Sequence, residues 1–382
     1  MRSSMKAVEP EQTTAGPRSM PPGLTGQLTA ISIQCNECGA CIKACAFLSH
    51  YGTPGALVRN HDFTQANDLA MAYECSLCGL CSEVCPKKLE PCQLFLTLRR
   101  FFVAAGHFYP AVYRTILGYE NRGRSQLFAF QGIPDGCDTV FFPGCNLPGS
   151  RMATTLCLFE KLRHIIPNLG VVLNCCSKPS HDLGRQEHFE IAFGELQIML
   201  QRRGIRRVLV ACPNCYKIFH QYGKGLSVQA IYEYLEVEPD IVPLSSTWKT
   251  ISVHDPCAMR DSTAVQQAVR DLLTSLGLKQ KEMKHQGQRT LCCGEGGMVS
   301  VVRPAFAKNW VKLRSEESEG RRLVTYCAGC CEFLGKATPT VHLADLLCQP
   351  EAARQGKIAV TRTPFTYLQR LRLKWRLQQL LR

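Results

Sequence analysis

Eighteen of the 23 cysteines in this chain of 382 residues fall into spaced arrays, and that spacing limits the fold more than any other feature. Two arrays are copies of one pattern, Cys…Cys-Cys…Cys-x2-Cys. The first copy is Cys145, Cys175, Cys176, Cys212 and Cys215; the second is Cys257, Cys292, Cys293, Cys327 and Cys330. The intervals nearly match, with 29 and 35 residues between groups in the first copy and 34 and 33 in the second. Upstream, Cys35-x2-Cys38-x2-Cys41-x3-Cys45 recurs as Cys75, Cys78, Cys81 and Cys85. Thiolates grouped in this way are soft ligands that select iron–sulfur centres or zinc.

A disulfide framework suits short secreted domains that cannot build a core. Here 45% of the residues are apolar, and the first 23 residues hold no apolar run of the kind that directs export. Zinc ribbons also use paired Cys-x2-Cys groups. Four cysteines in a tight x2-x2-x3 run, followed in the second copy by Pro86, instead form the bacterial ferredoxin signature. In that signature the fourth cysteine serves the other cluster. One cubane would take Cys35, Cys38, Cys41 and Cys85, and the other Cys75, Cys78, Cys81 and Cys45. The remaining cysteines, Cys92, Cys137, Cys157, Cys331 and Cys348, read as small buried hydrophobes.

Residues 1–28, rich in Pro, Gly, Ser and Thr, read as a mobile tail. Residues 29–110 are expected to be a helical two-cluster domain, and 111–136 a connector. The apolar segment after Pro91 is interrupted by Arg99 and Arg100, so it reads as a core helix and not as a membrane span of ~20 residues. Beyond it, short β-branched runs (DTVFFPGC, GVVLNCC, RVLVACPNC, then TISVHDPC, RTLCCGEGG, RRLVTYCAGC) alternate with amphipathic stretches. Such alternation predicts two repeated parallel α/β units, 137–250 and 251–349. The fold class is therefore α/β with an N-terminal all-α domain. Parallel sheets gather ligands at the carboxyl ends of their strands, so the cysteines are expected to converge there. A pseudo-twofold between the two sheet edges would enclose one shared cavity.

Residues 350–382 form a basic amphipathic segment. From Arg362 on they hold six Arg or Lys and no acid, with Phe365, Leu368, Leu371 and Trp375 at helical spacing. This fits an interfacial membrane anchor or a docking helix, and equally a terminal helix packed on its own domain.

The doubled five-cysteine motif resembles the CCG domain of heterodisulfide reductase, and the ferredoxin domain fused ahead of it resembles that enzyme's fused catalytic subunit. The iron–sulfur subunits of anaerobic glycerol-3-phosphate dehydrogenase and glycolate oxidase look similar in layout. The resemblance spans about residues 30–349, including CCSKPSHDLG around Cys175, HDPC before Cys257 and CCGEGG at Cys292. It implies that each five-cysteine group holds a non-cubane [4Fe–4S] cluster with all ten cysteines as ligands, and that a disulfide is cleaved between the two. Ser177 departs from the glycine that follows the CysCys pair in the family and is expected to distort the backbone there. His254, His181, Lys178 and Glu295, near ligand cysteines, are candidate catalytic helpers; their other reading is structural, as partners of thiolates or turns.

By this resemblance, two cubane clusters would relay electrons to paired non-cubane centres that reduce or oxidise a disulfide/thiol substrate. The alternative is an electron conduit between a flavoprotein dehydrogenase and quinone. Either needs a redox partner subunit: a flavoprotein, a hydrogenase-type protein or a membrane quinone-reactive subunit. A third reading, a zinc-bound structural or nucleic-acid-binding protein, draws on the net charge of +14. Thiolate-ligated clusters are anionic and offset part of that excess, so no nucleic-acid partner is expected. The expected location is cytoplasmic, with peripheral contact to the inner face of the membrane if the C-terminal segment docks there.

Overall fold

The computed structural model describes residues 19–237, 248 and 250–381. The first eighteen residues of the expected tail lie outside the described residues, as does most of the junction near 250. The rest of that tail is corrected. Pro22–Gln34 is a helix, opened by Pro22 in its first turn and seated by the fully buried Leu24 and by Ile31. It packs on the helices Pro54–Asn60 and Pro91–Ala104, the latter being the expected core helix. Together with short turns of helix around the cysteines, these form an all-helical domain about Leu57, Leu69, Leu94, Phe95 and Leu98.

The next region is α/β. One sheet holds β1 (Phe130–Gly132), β2 (Thr139–Phe142), β3 (Gly170–Leu173), β4 (Arg207–Val210) and β5 (Ser227–Ala230), in the order β1-β3-β2-β4-β5. The second holds β6 (Thr250–His254), β7 (Lys279–Gln280), β8 (Arg322–Thr325) and β9 (Thr340–His342), in the order β7-β6-β8-β9. All pairings are parallel except β1 with β3. That exception corrects the connector, since 111–136 contributes the helix Arg114–Arg124 and an antiparallel edge strand to the first sheet.

One of the six expected strand runs is also corrected. Arg289–Cys293 joins no ladder, and β7 pairs with β6 in its place. The backbone there is held by side chains: Arg260 Nη2 donates to the Thr290 carbonyl at 2.8 Å, and Thr290 Oγ1 donates to the Asp255 carbonyl at 2.7 Å.

The two units share one apolar core, with Phe141, Leu158 and Leu173 of the first in the same cluster as Val253, Leu273 and Val324 of the second. Their contacts are reciprocal. The helix Met152–Ile165, which follows β2, packs on Leu343–Cys348, which follows β9; Thr263–Ser275, which follows β6, packs on Ile231–Glu233, which follows β5. Across this interface Arg151 Nε and Thr154 Oγ1 donate to the buried Asp345 carboxylate at 2.7 and 2.8 Å.

The C-terminal helix Thr366–Leu380 lies along the first unit, with Arg370, Leu373 and Leu377 buried. Phe365, Leu368 and Trp375 remain exposed. No described helix is long and apolar enough to cross a membrane.

Candidate metal centres

Both ferredoxin-type motifs wrap in the same way. Two left-handed residues fall at equivalent places in each, Glu37 and Gly39 (φ 53° and 73°) and Leu77 and Gly79 (φ 49° and 76°), so the chain curls back on itself between successive cysteines. Cys35, Cys38, Cys41 and Cys85 line one cavity, which Cys81 also touches. Cys45, Cys75, Cys78 and Cys81 line a second, together with Cys92. Both fourth cysteines thus lie with the opposite motif.

Burial pushes the Cys41 thiol up to about 11 and the Cys45 and Cys78 thiols up to about 12. Such sulfurs become thiolates once positive charge is supplied beside them, as cluster iron supplies it. The Leu77 amide donates to Cys75 Sγ at 3.4 Å, the kind of contact that tunes a cluster. A soft donor set of four or more cysteines in each cavity fits an iron–sulfur cluster.

Eight of the ten other arrayed cysteines sit just past strands or in the helix turn that follows, while Cys292 and Cys293 stand in a loop beyond β7. Cys145, Cys175 and Cys212 follow β2, β3 and β4, while Cys257 and Cys327 follow β6 and β8. In the first unit the thiols contact one another in the order Cys145, Cys175, Cys176, Cys215, Cys212, with Cys215 Sγ 3.4 Å from Cys176 Sγ. The second unit repeats this order as Cys257, Cys292, Cys293, Cys330, Cys327. Hydrogen bonds from Cys175 and Cys215 lower the Cys176 thiol to about 6.

The two rows face each other. The helix Pro213–Tyr222, which carries Cys215, packs on the turn Cys257–Met259, and reciprocally Ala328–Leu334, which carries Cys330, packs on Asn146–Ser150 beside Cys145.

Residues 31–89 match a 4Fe-4S dicluster domain, and residues 251–335 match a cysteine-rich domain. The chain is 27% identical to one subunit of the CoM/CoB fumarate reductase of Methanothermobacter marburgensis, over 78% of this chain and 66% of that protein. It is 24% identical to a subunit of the dihydromethanophenazine:CoB–CoM heterodisulfide reductase of Methanosarcina mazei, over 81% of this chain and 90% of that protein. A more distant relative is the EtfAB:quinone oxidoreductase of Syntrophomonas wolfei, 21% identical over 59% of this chain and 36% of that protein. The chain is similar to heterodisulfide reductase subunits.

In this chain the second ferredoxin-type cavity abuts the second five-cysteine row. Cys45 and Cys78 pack in one cluster with Cys257, Cys292 and Trp310, and Trp310 Nε1 donates to Ser76 Oγ at 3.0 Å. Arg260 Nη2 bridges the Cys78 and Thr290 carbonyls at 3.0 and 2.8 Å. The first row is covered from the other side, where Tyr119 Oη and Arg370 Nη1 donate to the Cys145 carbonyl at 2.8 and 3.3 Å.

The four candidate helpers separate. Glu295 lies between the rows, its carboxylate against Gly329, and burial together with the charges of Cys212 and Glu332 raises it to about 7. Lys178 pairs with Asp182, and its charge reaches both Cys257 and Cys176. His181 is tied to other side chains, its Nδ1 2.8 Å from Asp182 Oδ1 and its Nε2 3.0 Å from Tyr222 Oη, contacts that fit the structural reading. His254 is fully buried, and its ring nitrogen lies within 4.8 Å of the Cys293 and Cys330 sulfurs.

Ser177 adopts the left-handed conformation (φ 55°) that Gly294 takes in the second copy (φ 97°), so the serine retains the backbone turn at a cost in strain. Of the cysteines outside the arrays, Cys92 joins the second cubane cavity, whereas Cys331 is engaged by Arg151 Nη2 at 3.4 Å. Sequence reasoning passed over Arg99 as an interruption; a charged residue in an otherwise apolar core helix was the available signal.

Proposed function

We propose that the chain passes electrons from two cubane clusters, held by Cys35, Cys38, Cys41 and Cys85 and by Cys75, Cys78, Cys81 and Cys45, to two non-cubane [4Fe–4S] centres on the ten cysteines of the two rows. Between those centres a disulfide is reduced to two thiols, with two electrons and two protons consumed. The observation that carries this reading is the pair of five-thiol rows, identical in contact order and facing one another across Glu295. A chain built for conduction alone has no need of two such facing rows. When bound, the clusters supply one-electron steps to either side of the substrate.

The protein's own residues position and charge-balance that site. The packing of Cys45 and Cys78 against Cys257 and Cys292 makes the second centre the entry point for electrons. Lys178 places a positive charge between the rows, where it offsets negative charge on a leaving thiolate, and Glu295 brings a carboxyl group into the same space as a proton donor. The electron source is a separate redox partner subunit, as expected from relatives that are named as subunits of larger oxidoreductases. The exposed Phe365, Leu368 and Trp375, with Arg372 and Arg376 alongside, supply a surface for peripheral membrane contact.

The test is anaerobic reduction of the purified protein followed by titration with small disulfides. Reoxidation with release of two thiols per two electrons is expected. A reduced protein that disulfides leave reduced but a quinone analogue reoxidises would assign the chain to conduction.

A further inference from the structure

The two sheets match in topology around their cysteines but differ in one row of side chains. The last register pair of β2 and β4 is Phe142 with Val210, both buried and packed in one apolar cluster with Cys176 and Cys215. The equivalent pair of β6 and β8 is His254 with Thr325. Phe142 and His254 each stand three residues before the first cysteine of their row, so they are counterparts in sequence as well as in register.

The polar pair is fully buried, yet both ring nitrogens of His254 and the Thr325 hydroxyl have no hydrogen-bond partner among the described residues. Arg314, also fully buried, uses Nη1 on the His285 carbonyl and Glu317 but leaves Nε and Nη2 without partners. Its charge acts on Cys293 and Cys330. A buried polar group without a partner costs about 1–3 kcal/mol. Several such groups, with a His254 ring nitrogen within 4.8 Å of both the Cys293 and Cys330 sulfurs, point to a partner that the described residues do not provide.

We propose that His254 and Thr325, backed by the Arg314 charge, are positioning residues that donate hydrogen bonds to the Cys293 and Cys330 thiolates of the second centre, so that this centre has a higher reduction potential than the first. The proposal rests on the reading that the second row holds an iron–sulfur centre. Donors to cluster sulfur stabilise the reduced, more negative state. The apolar wall of Phe142 and Val210 gives the first centre no such help. Because the second cubane abuts the second centre, the first electron from the relay is held there, and the lower-potential first centre is filled afterwards. The asymmetry thus sets the order in which the two faces of the substrate site are charged.

The test is an EPR-monitored redox titration of the full-length, cluster-loaded protein, comparing His254→Phe, which copies the first row, with His254→Asn, which keeps a side-chain N–H. The expected result is a roughly tenfold weaker one-electron reduction of one non-cubane centre in His254→Phe, ~59 mV for a one-electron couple, at unchanged iron content. The other centre should not move, and His254→Asn should recover most of the shift. If His254→Phe fails to load iron, Thr325→Val removes a donor with little change of shape and should shift the same centre downward. Unchanged potentials in fully loaded His254→Phe or Thr325→Val, or no recovery in His254→Asn, would overturn the proposal while leaving the assignment of the centres intact. Absence of iron from the second row of the unmodified protein would instead remove the assignment itself.

Discussion

Arg99 Nη1 donates to the carbonyl oxygen of Gly297 at 2.9 Å, joining two residues 198 positions apart in the chain. The same guanidinium also bonds the carbonyls of Asp182 in the first unit (2.8 Å) and of Ala72 and Cys75 in the helical domain (3.0 and 2.6 Å). One buried side chain therefore fixes the N-terminal helical domain against both five-cysteine units.

Arg99→Met should retain most of the apolar packing while leaving the Asp182, Gly297 and Cys75 carbonyls without the guanidinium; the Ala72 carbonyl keeps the Cys75 N–H. A loss of at least about 3 kcal/mol in unfolding free energy is expected, since each of the three orphaned buried acceptors costs about 1–3 kcal/mol. Denaturant unfolding measures it. A midpoint within error of the unmodified protein would contradict the clamp.

Ser177→Gly removes the strain of a left-handed, fully buried serine whose hydroxyl has no partner. Stability should rise by about 1 kcal/mol, with cluster content unchanged. A fall in thermal stability would show that the serine contributes an interaction of its own.

The crossed cysteines give a sharper check on ligation. Cys85→Ala should remove the cluster formed with Cys35, Cys38 and Cys41, and about four irons with it, while the cluster next to Trp310 persists. Loss of the signal of the second cubane in place of the first would mean that each motif holds its own cluster.

The C-terminal helix is expected to act through its outer face. Removing residues 362–382 would also strip Arg370 from the Cys145 carbonyl, so truncation is a poor test. Replacing Phe365, Leu368 and Trp375 together with serine leaves the buried Leu373 and Leu377 in place. Sedimentation with anionic vesicles should be lost in this variant with iron content retained. Equal sedimentation of the two proteins would remove the membrane reading.

Much of this was legible from cysteine spacing, because a ligand array fixes where the chain must return. The strands at Thr139–Phe142, Gly170–Leu173, Arg207–Val210, Thr250–His254 and Arg322–Thr325 stand where β-branched runs end near a cysteine. The same rule misplaced Arg289–Cys293, because side chains from Arg260 and Thr290, and not a neighbouring strand, take up the polar groups there. The helix Pro22–Gln34 was hidden by composition, since its proline and glycine sit in the first turn, where they do little harm. Composition gives no sign that Leu24 finds a core to bury in. His181 and His254 look alike in sequence, each within a few residues of ligand cysteines. They differ by what surrounds them: His181 meets Asp182 and Tyr222, while His254 meets two sulfurs. Asp182 is the next residue in the chain, but no local pattern carries that distinction, because Tyr222 and the two sulfurs arrive from distant parts of the chain.

What the eighteen arrayed cysteines hold decides whether this protein carries electrons in the way proposed. Iron and acid-labile sulfide should be measured in protein purified without oxygen, alongside zinc. About sixteen irons with matching sulfide per chain is the expected result, four clusters of four. Stoichiometric zinc without visible absorbance, or about eight irons confined to the helical domain, would contradict it.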